Sequence, residues 1–196
     1  MAGAVYQNIF KNPLAAPDLI GVANGAAAGA AFSIVCLHGG TILAAGSSFV
    51  GGITAVAAVV VLAGFVRQRT SATYVLAGIA VKAAAEAFVM AMKYFADPDK
   101  QLSAIDYWAM GSFANITMDK LRVIFPVFLA GFIGIILLRW QITLLSLGDD
   151  EARMLGMRVN LVRCIVLGFS TLLVASTVCV TGIISFIGLV APHIAR

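Results

Sequence analysis

Long runs without charged residues constrain this chain more than any other feature of its sequence. Uncharged stretches of 17, 25, 16 and 29 residues occupy positions 21–37, 42–66, 123–138 and 164–192. A fifth stretch, 72–95, is apolar apart from Lys82, Glu86 and Lys93. A helix that crosses a hydrocarbon layer of about 30 Å needs roughly 20 apolar residues. The pattern predicts an all-α integral membrane protein, a polytopic helical bundle of five or six spans.

Composition excludes the main alternatives to this class. Only 11% of the 196 residues are charged and 61% are hydrophobic, whereas roughly 25% of a soluble domain is charged. The net charge of +4 comes without a basic run or a basic and aromatic patch, so it does not indicate a nucleic-acid partner. The predicted environment is lipid, and positions 1–196 are predicted to form a single transmembrane domain.

The 29-residue stretch is too long for one untilted span. Gly182, Gly188 and Pro192 interrupt its end, and such residues break or kink a helix. We expect one span to about Val180, then a break or short re-entrant element, then a further helix.

Basic residues predict the orientation. If the loop at Lys11 faces the cytoplasm, the same side receives six arginines, while the opposite side receives the turn at 38–41 and the segment 96–122. Because cytoplasmic loops carry an excess of Lys and Arg, we expect Lys11 inside. The six are Arg67, Arg69, Arg139, Arg153, Arg158 and Arg163.

Small residues predict helix packing. Gly21, Gly25 and Gly29 recur at intervals of four, which places them on one helical face where a neighbouring backbone can approach closely in lipid. The cysteines, Cys36, Cys164 and Cys179, lie in apolar stretches and are interpreted as small packing residues.

Two candidate sites stand out. Lys82 and Glu86 lie one turn apart within a span, where ionisable groups are functional candidates by default. Three interpretations stay open: a satisfied pair at a helix interface or a cavity, the polar lining of a substrate pathway, or a proton relay.

The second site is a loop at 141–163, within which 147–156 is predicted to form a helix of six or seven residues. Acidic residues favour its start, Arg153 its last turn and Gly156 a left-handed end. Such a short helix is unstable alone, so it must dock, either on its own membrane domain or on a partner. The segment comprises Leu147, Gly148, Asp149, Asp150, Glu151, Ala152, Arg153, Met154, Leu155 and Gly156.

Enzyme signatures are missing from the sequence. His38 and His193 lie far apart without nearby thiolate or carboxylate ligands, so no metal site is predicted. No nucleophile elbow and no phosphate-binding P-loop occur. We therefore predict a chain that is not an enzyme, binds no cofactor itself and takes any energy of ATP from another subunit.

Four motifs in one order resemble a known family. The segment Asn-Pro-Leu-Ala-Ala-Pro at 12–17, followed by Gly21-Val22 and Gly25-Ala26, resembles a signature of FecCD-type permeases. These are the membrane subunits of ATP-binding-cassette (ABC) importers for iron–siderophores, haem and cobalamin. The segments 108–112, 147–156 and 182–196 resemble three further family motifs. The last motif matches at Gly182, Ile184, Phe186, Gly188, Leu189, Pro192, His193 and Arg196.

The resemblance implies a type II ABC importer permease that works by alternating access. The segment 147–156 then becomes a coupling helix that seats in an ATPase subunit, which binds ATP and Mg²⁺. A second permease copy and a periplasmic or lipoprotein substrate-binding protein complete the assembly in a bacterial or archaeal cytoplasmic membrane. The resemblance also implies motif or pathway roles for Asn12, Pro13, Gly182, Phe186, Gly188, Pro192 and His193.

Two departures from the family are notable. Lys82 and Glu86 occupy a helix that is usually uncharged in such permeases, and Ala16 replaces a common acidic residue. Family members also have about ten spans, so this chain is expected to be partial, with about five full spans and partial helices at both ends, and to lack the first span and the last two. Two alternatives therefore stay open: a truncated or split permease that is not transport-competent alone, and a secondary carrier that uses Lys82 and Glu86.

Overall fold

A computed structural model describes residues 1–66, 70–114 and 116–195. All regular structure within these ranges is helical, as predicted. Arg67, Arg69 and Arg196, which the sequence interpretation used, lie outside the described residues. The helices are α1 (Ala2–Phe10), α2 (Val22–Cys36), α3 (Thr41–Gly64), α4 (Ser71–Phe95), α5 (Gln101–Met110), α6 (Met118–Leu137), α7 (Arg139–Leu147), α8 (Asp149–Met154), α9 (Val159–Thr181) and α10 (Ile187–Ile194).

Four of these helices are long and apolar enough to cross a membrane: α3, α4, α6 and α9. The fifth apolar stretch forms α2, whose 15 residues extend only about 22 Å at 1.5 Å per residue. It occupies all but the two end residues of the uncharged stretch 21–37, and Pro17–Ile20 before it form a short 3-10 helix. The prediction of a polytopic helical bundle is confirmed, with four long spans and one short apolar helix among the described residues.

The core of the bundle forms around α9. Val166, Leu167 and Ala175 are fully buried on this helix, which packs against α3 on one side and α6 on the other. Phe169 of α9 lies against Gly134 of α6, where a side-chain carbon would collide with its ring.

Backbones touch where α2 meets α3. A side-chain carbon at Gly25 would collide with Ala55 and with the carbonyl of Gly51, and one at Gly29 would collide with the carbonyl of Ser47. Close approach through glycine is how helices associate in lipid, since burial from water does not drive them together there.

Gly21 differs from the other two glycines. It precedes α2 as a residue with φ of +73°, a conformation that glycine adopts without strain, and it faces the backbone of Lys82 on α4. The spacing at 21, 25 and 29 therefore combines a turn glycine against α4 with two packing glycines against α3.

Two hydrogen bonds place three loop segments at the same end of the bundle. The Lys11 Nζ donates to the carbonyl of Leu147 at 3.0 Å, and the Ser71 hydroxyl donates to the carbonyl of Ile9 at 3.1 Å. These bonds bring the loop at Lys11, the start of α4 and the segment at 147–156 to one end, in agreement with the loop partition used for the orientation.

The chain after α9 breaks as predicted. Helix α9 ends at Thr181, the segment 182–186 is not helical, and α10 begins at Ile187. Gly182 has φ of +72° and Phe186 has φ of +68°, so the two ends of this short connection both turn in the left-handed region.

Candidate functional site

Helix α8 forms from its own sequence signals. Its six residues carry Asp149, Asp150 and Glu151 in the first turn and Arg153 in the last, which matches the dipole of the helix at both ends. Gly156 ends it with φ of +83°, and its N–H donates to the carbonyl of Arg153 at 2.9 Å. The predicted short helix and its left-handed end are both present.

One face of α8 is fixed to the bundle by a buried ion pair. The Arg163 Nη2 donates to the Asp149 Oδ1 at 2.6 Å, while Arg163 is 1% and Asp149 27% exposed. The guanidinium also lies 5.6 Å from the ring centroid of Tyr74 on α4, within the range of a cation–π interaction. Ala152 is fully buried on the same face. A single arginine therefore joins α8, α9 and α4.

A second cation holds the start of the segment. Besides its bond to the carbonyl of Leu147, the Lys11 ammonium lies beside Gly148. A side-chain carbon at Gly148 would collide with the carboxylate of Glu151, which folds back over this glycine. Gly148 also has φ of +157°, a conformation that L side chains rarely adopt, which explains why glycine stands at the junction of α7 and α8.

The opposite face of α8 is open. Met154 is 80% and Leu155 62% exposed, and Asp150 and Arg153 form an ion pair of 3.8 Å with side chains 89% and 56% exposed. Sequence reasoning left two docking partners open for this helix, its own domain or another protein. The structure provides one surface for each: Asp149 and Ala152 face the bundle, whereas Met154, Leu155, Asp150 and Arg153 face outward. We call these four residues the outer face of α8.

The predicted charge pair within the fourth helix is present and has a third member. The Lys82 Nζ lies 3.8 Å from the Glu86 Oε1, and the Asn24 Nδ2 of α2 donates to the same oxygen at 2.9 Å. Farther along α4, the Lys93 Nζ donates to the Asp106 Oδ1 of α5 at 2.6 Å.

Three of the four resembling motifs meet, because the last motif contacts the first and the second. Gly188 packs against Pro17, so the first motif meets the last, and Gly182 packs against Gly111 and the carbonyl of Trp108, so the second meets the last. Pro17 and Gly188 line a cavity of about 330 Å³ together with Phe186 and Pro192.

The other motif candidates lie apart from this cavity lining. The Asn12 Oδ1 accepts the N–H of Leu14 at 2.9 Å, which stabilises the turn after α1. Pro13 and His193 are exposed. The described residues contain no group of three or more His, Cys, Asp or Glu side chains placed to hold a metal ion, and the three cysteines are unpaired.

Sequence reasoning missed the residues that fix the segment 147–156 and the charge pair. Arg163 was assigned only as a basic residue of the loop 141–163, but α9 begins at Val159 and holds it in the core. Its spacing contains the signal, because Arg163 shares the helical face of the buried residues Val159, Val166 and Ser170. Nothing local identifies Lys11 or Asn24, whose partners are 136 and 62 residues away.

Comparison with known proteins decides the family. The sequence profile of the FecCD transport family matches residues 1–196. The chain belongs to the FecCD transport family. The resemblance inferred from the four motifs is thereby confirmed over the whole chain.

Curated relatives carry transport names. The chain is 34% identical over 202 residues to the molybdate import system permease protein MolB of Haemophilus influenzae. It is 36% identical over 200 residues to the hemin transport system permease protein HmuU of Yersinia pestis, and 34% identical over 200 residues to the vitamin B12 import system permease protein BtuC of Yersinia pseudotuberculosis. Each alignment covers all of this chain but 58%, 60% and 58% of the relative, in that order.

A solved structure has the same fold. It shows the inward-facing conformation of a metal-chelate type ABC transporter and matches with a TM-score of 0.91 at 32% identity. The match covers all of this chain and 62% of that one. The chain thus spans about three fifths of the length of the proteins it resembles.

Proposed function

We propose that this chain acts in the permease subunit of an ABC importer that moves a metal chelate, such as a ferric siderophore, haem or cobalamin, across a bacterial or archaeal cytoplasmic membrane. Family membership over residues 1–196 and the names of the haem and vitamin B12 relatives support the transport class. In this proposal the chain is not an enzyme: ATP and Mg²⁺ bind to separate ATPase subunits, and a second permease copy and a substrate-binding protein complete the importer.

The single observation that carries the proposal is the two-sided placement of α8. Its inner face is held by Arg163 in the core, and its outer face presents Met154 and Leu155 at the end of the bundle. A short helix with one anchored side can transmit a movement of whatever binds its free side. The ATPase subunit would bind the outer face, and α8 would pass its movement to α9 and α4 to drive alternating access.

The test removes the apolar part of the outer face in the complete transporter. Met154→Ser combined with Leu155→Ser takes away the exposed apolar contact area, so we expect co-purification of the ATPase subunit and cargo-stimulated ATP hydrolysis to fall about tenfold. A second variant replaces Asp150, Glu151 and Arg153 with alanine, which removes the polar contacts of the same helix and is expected to act in the same direction.

The control changes exposed apolar residues of the same kind at the same end of the bundle. Phe65 and Val66 follow α3 and are 84% and 45% exposed, so Phe65→Ser combined with Val66→Ser tests whether any loss of apolar surface weakens the complex. Unchanged co-purification and ATP hydrolysis in both α8 variants would remove the coupling assignment.

A further inference from the structure

Three charged residues of α4 form a stripe along one side of the helix. At 100° per residue, Glu86 and Lys93 lie about 40° and 20° around the axis from Lys82. The stripe begins eleven residues after Ser71 and ends two residues before Phe95, so it runs over about 16 Å from the middle of the span to one end. We call Lys82, Glu86 and Lys93 the α4 stripe.

The stripe is incompatible with a lipid-facing position. The side chains of Lys82 and Glu86 are 42% and 51% exposed, and α4 is the least buried of the four long helices, with 6% of its apolar window inside the bundle. Charged groups at the middle of a bilayer face protein or a water-filled cavity because hydrocarbon cannot solvate them. Lys82 and Glu86 must therefore meet water or another polar surface.

Lys82 is ion-paired with Glu86 but makes no hydrogen bond within this group. Asn24 donates to the Glu86 Oε1 at 2.9 Å, whereas the Lys82 Nζ lies 3.8 Å from the same oxygen, beyond a hydrogen bond. Asp18, in the short 3-10 helix before α2, adds a second negative charge close enough to act on Lys82 electrostatically. In the described part of the chain the three N–H donors of this ammonium thus make no hydrogen bond, while Lys93 has its acceptor in Asp106.

We propose that the α4 stripe lines a water-filled passage and that Lys82 receives an oxygen acceptor, such as a carboxylate or another oxyanion group, on the periphery of a hydrophilic cargo. Asn24 acts as a positioning residue that draws Glu86 toward α2 and leaves the ammonium facing the passage. The proposal rests on the proposed transport function, because it assumes a cargo. The environment of the stripe, however, is measurable without ATP hydrolysis.

The experiment measures reaction of cysteine variants with membrane-impermeant methanethiosulfonate reagents in vesicles that contain the complete transporter. Cys36, Cys164 and Cys179 are first replaced by alanine. Lys82→Cys and Glu86→Cys are compared with Leu76→Cys and Phe88→Cys, because these control positions on α4 lie about 120° around the axis from Lys82 and are 66% and 40% exposed yet apolar. We expect the stripe variants to react at least tenfold faster than both controls.

A second measurement tests the acceptor preference at Lys82. In the Glu86→Cys background, the rate for a sulfonate reagent is divided by the rate for a trimethylammonium reagent of similar size. Removing one nearby positive charge through water changes the two rates in opposite directions, so Lys82→Met is expected to lower this ratio about tenfold. Lys82→Arg keeps the charge and is expected to keep the ratio.

Three other outcomes would each overturn the proposal. Equal rates at stripe and control positions would show that the stripe is not water-facing. A ratio unchanged by Lys82→Met would show that the ammonium does not face the passage. Rapid oxidative cross-linking of two copies through the Glu86→Cys thiol, with no reagent reaction, would assign the stripe to a contact between copies. A functional coupling helix remains compatible with all three results, so failure here is distinct from failure of the proposed function.

Discussion

Helices α9 and α4 have similar hydropathy and opposite surroundings. The most apolar windows of α9 and α4 have mean hydropathies of 2.1 and 1.8, but 56% of the α9 window is buried against 6% of the α4 window. Both were predicted as spans from their apolar length. Mean hydropathy therefore identifies a helix that fits the membrane, but it does not tell which helix forms the centre of the bundle.

The two helices also differ in how the hydrogen bonds of their polar side chains are satisfied. In α9 the hydroxyls of Thr171 and Ser176 donate to backbone carbonyls of the same helix at 2.7 and 3.0 Å, which satisfies them inside the core. In α4 the polar groups include the full charges of Glu86 and Lys93, whose hydrogen-bond partners, Asn24 and Asp106, come from α2 and α5. Short hydroxyl side chains are compatible with a central helix, whereas charges lie at the edge, where water or another protein can reach them.

The largest effect is expected from breaking the ion pair of the one charged residue that α9 buries. Asp149→Ala leaves the Arg163 guanidinium buried without its carboxylate, so we expect a loss of about 3 kcal/mol in the free energy of unfolding. Equilibrium unfolding in mixed micelles measures it. Adding Arg163→Met to Asp149→Ala removes the buried charge and is expected to recover most of the loss.

The exposed pair on the same short helix is the matched control for that experiment. Asp150 and Arg153 lie 3.8 Å apart in solvent, where such pairs contribute little because water and salt screen them. Asp150→Ala is therefore expected to change stability by less than about 1 kcal/mol. Similar losses for Asp149→Ala and Asp150→Ala would contradict the inference that burial of Arg163 fixes α8.

An intermediate effect tests the packing difference between the two helices directly. Ala175 of α9 is fully buried and lies against Gly52 of α3, so Ala175→Leu has no space and is expected to destabilise the protein by about 2 kcal/mol. Ala83 of α4 is exposed, so Ala83→Leu makes the same change in hydropathy without overpacking. Equal thermal unfolding of the two variants would show that α9 is not the tighter helix.

The smallest expected effect concerns the outer end of the α4 stripe. Lys93 and Asp106 bond at 2.6 Å with side chains 36% and 49% exposed, so water screens their attraction. Lys93→Met is expected to lower the free energy of unfolding by less than about 1 kcal/mol. A loss as large as that of Asp149→Ala would mean that this pair is buried by another part of the assembly.

Local sequence signals account for the parts of the fold that were predicted correctly. The acidic start of α8, the glycine at 156 and the break after Thr181 each depend on residues within one or two turns, and the structure has all three. The Lys82 and Glu86 pair was found for the same reason, since the two residues are separated by one helical turn. Local spacing also gave the close approach at Gly25 and Gly29.

Contacts between distant segments account for what the sequence could not predict. The bond from Lys11 to Leu147 joins residues 136 positions apart, and no local pattern selects that partner among the basic residues of the same end. The start of α2 involves a contact of the same kind, because Gly21 packs against the backbone of Lys82 on α4.

The contact between α2 and α3 limits how the bundle can change shape. Side chains can exchange rotamers to let two helices slide, but at Gly25 and Gly29 the interface consists of backbone and a single methyl group, which have no alternative arrangement. This contact therefore opposes sliding of α2 against α3. A pair of spin labels placed on their exposed faces would keep a constant distance and serve as an internal ruler for the motion of α4.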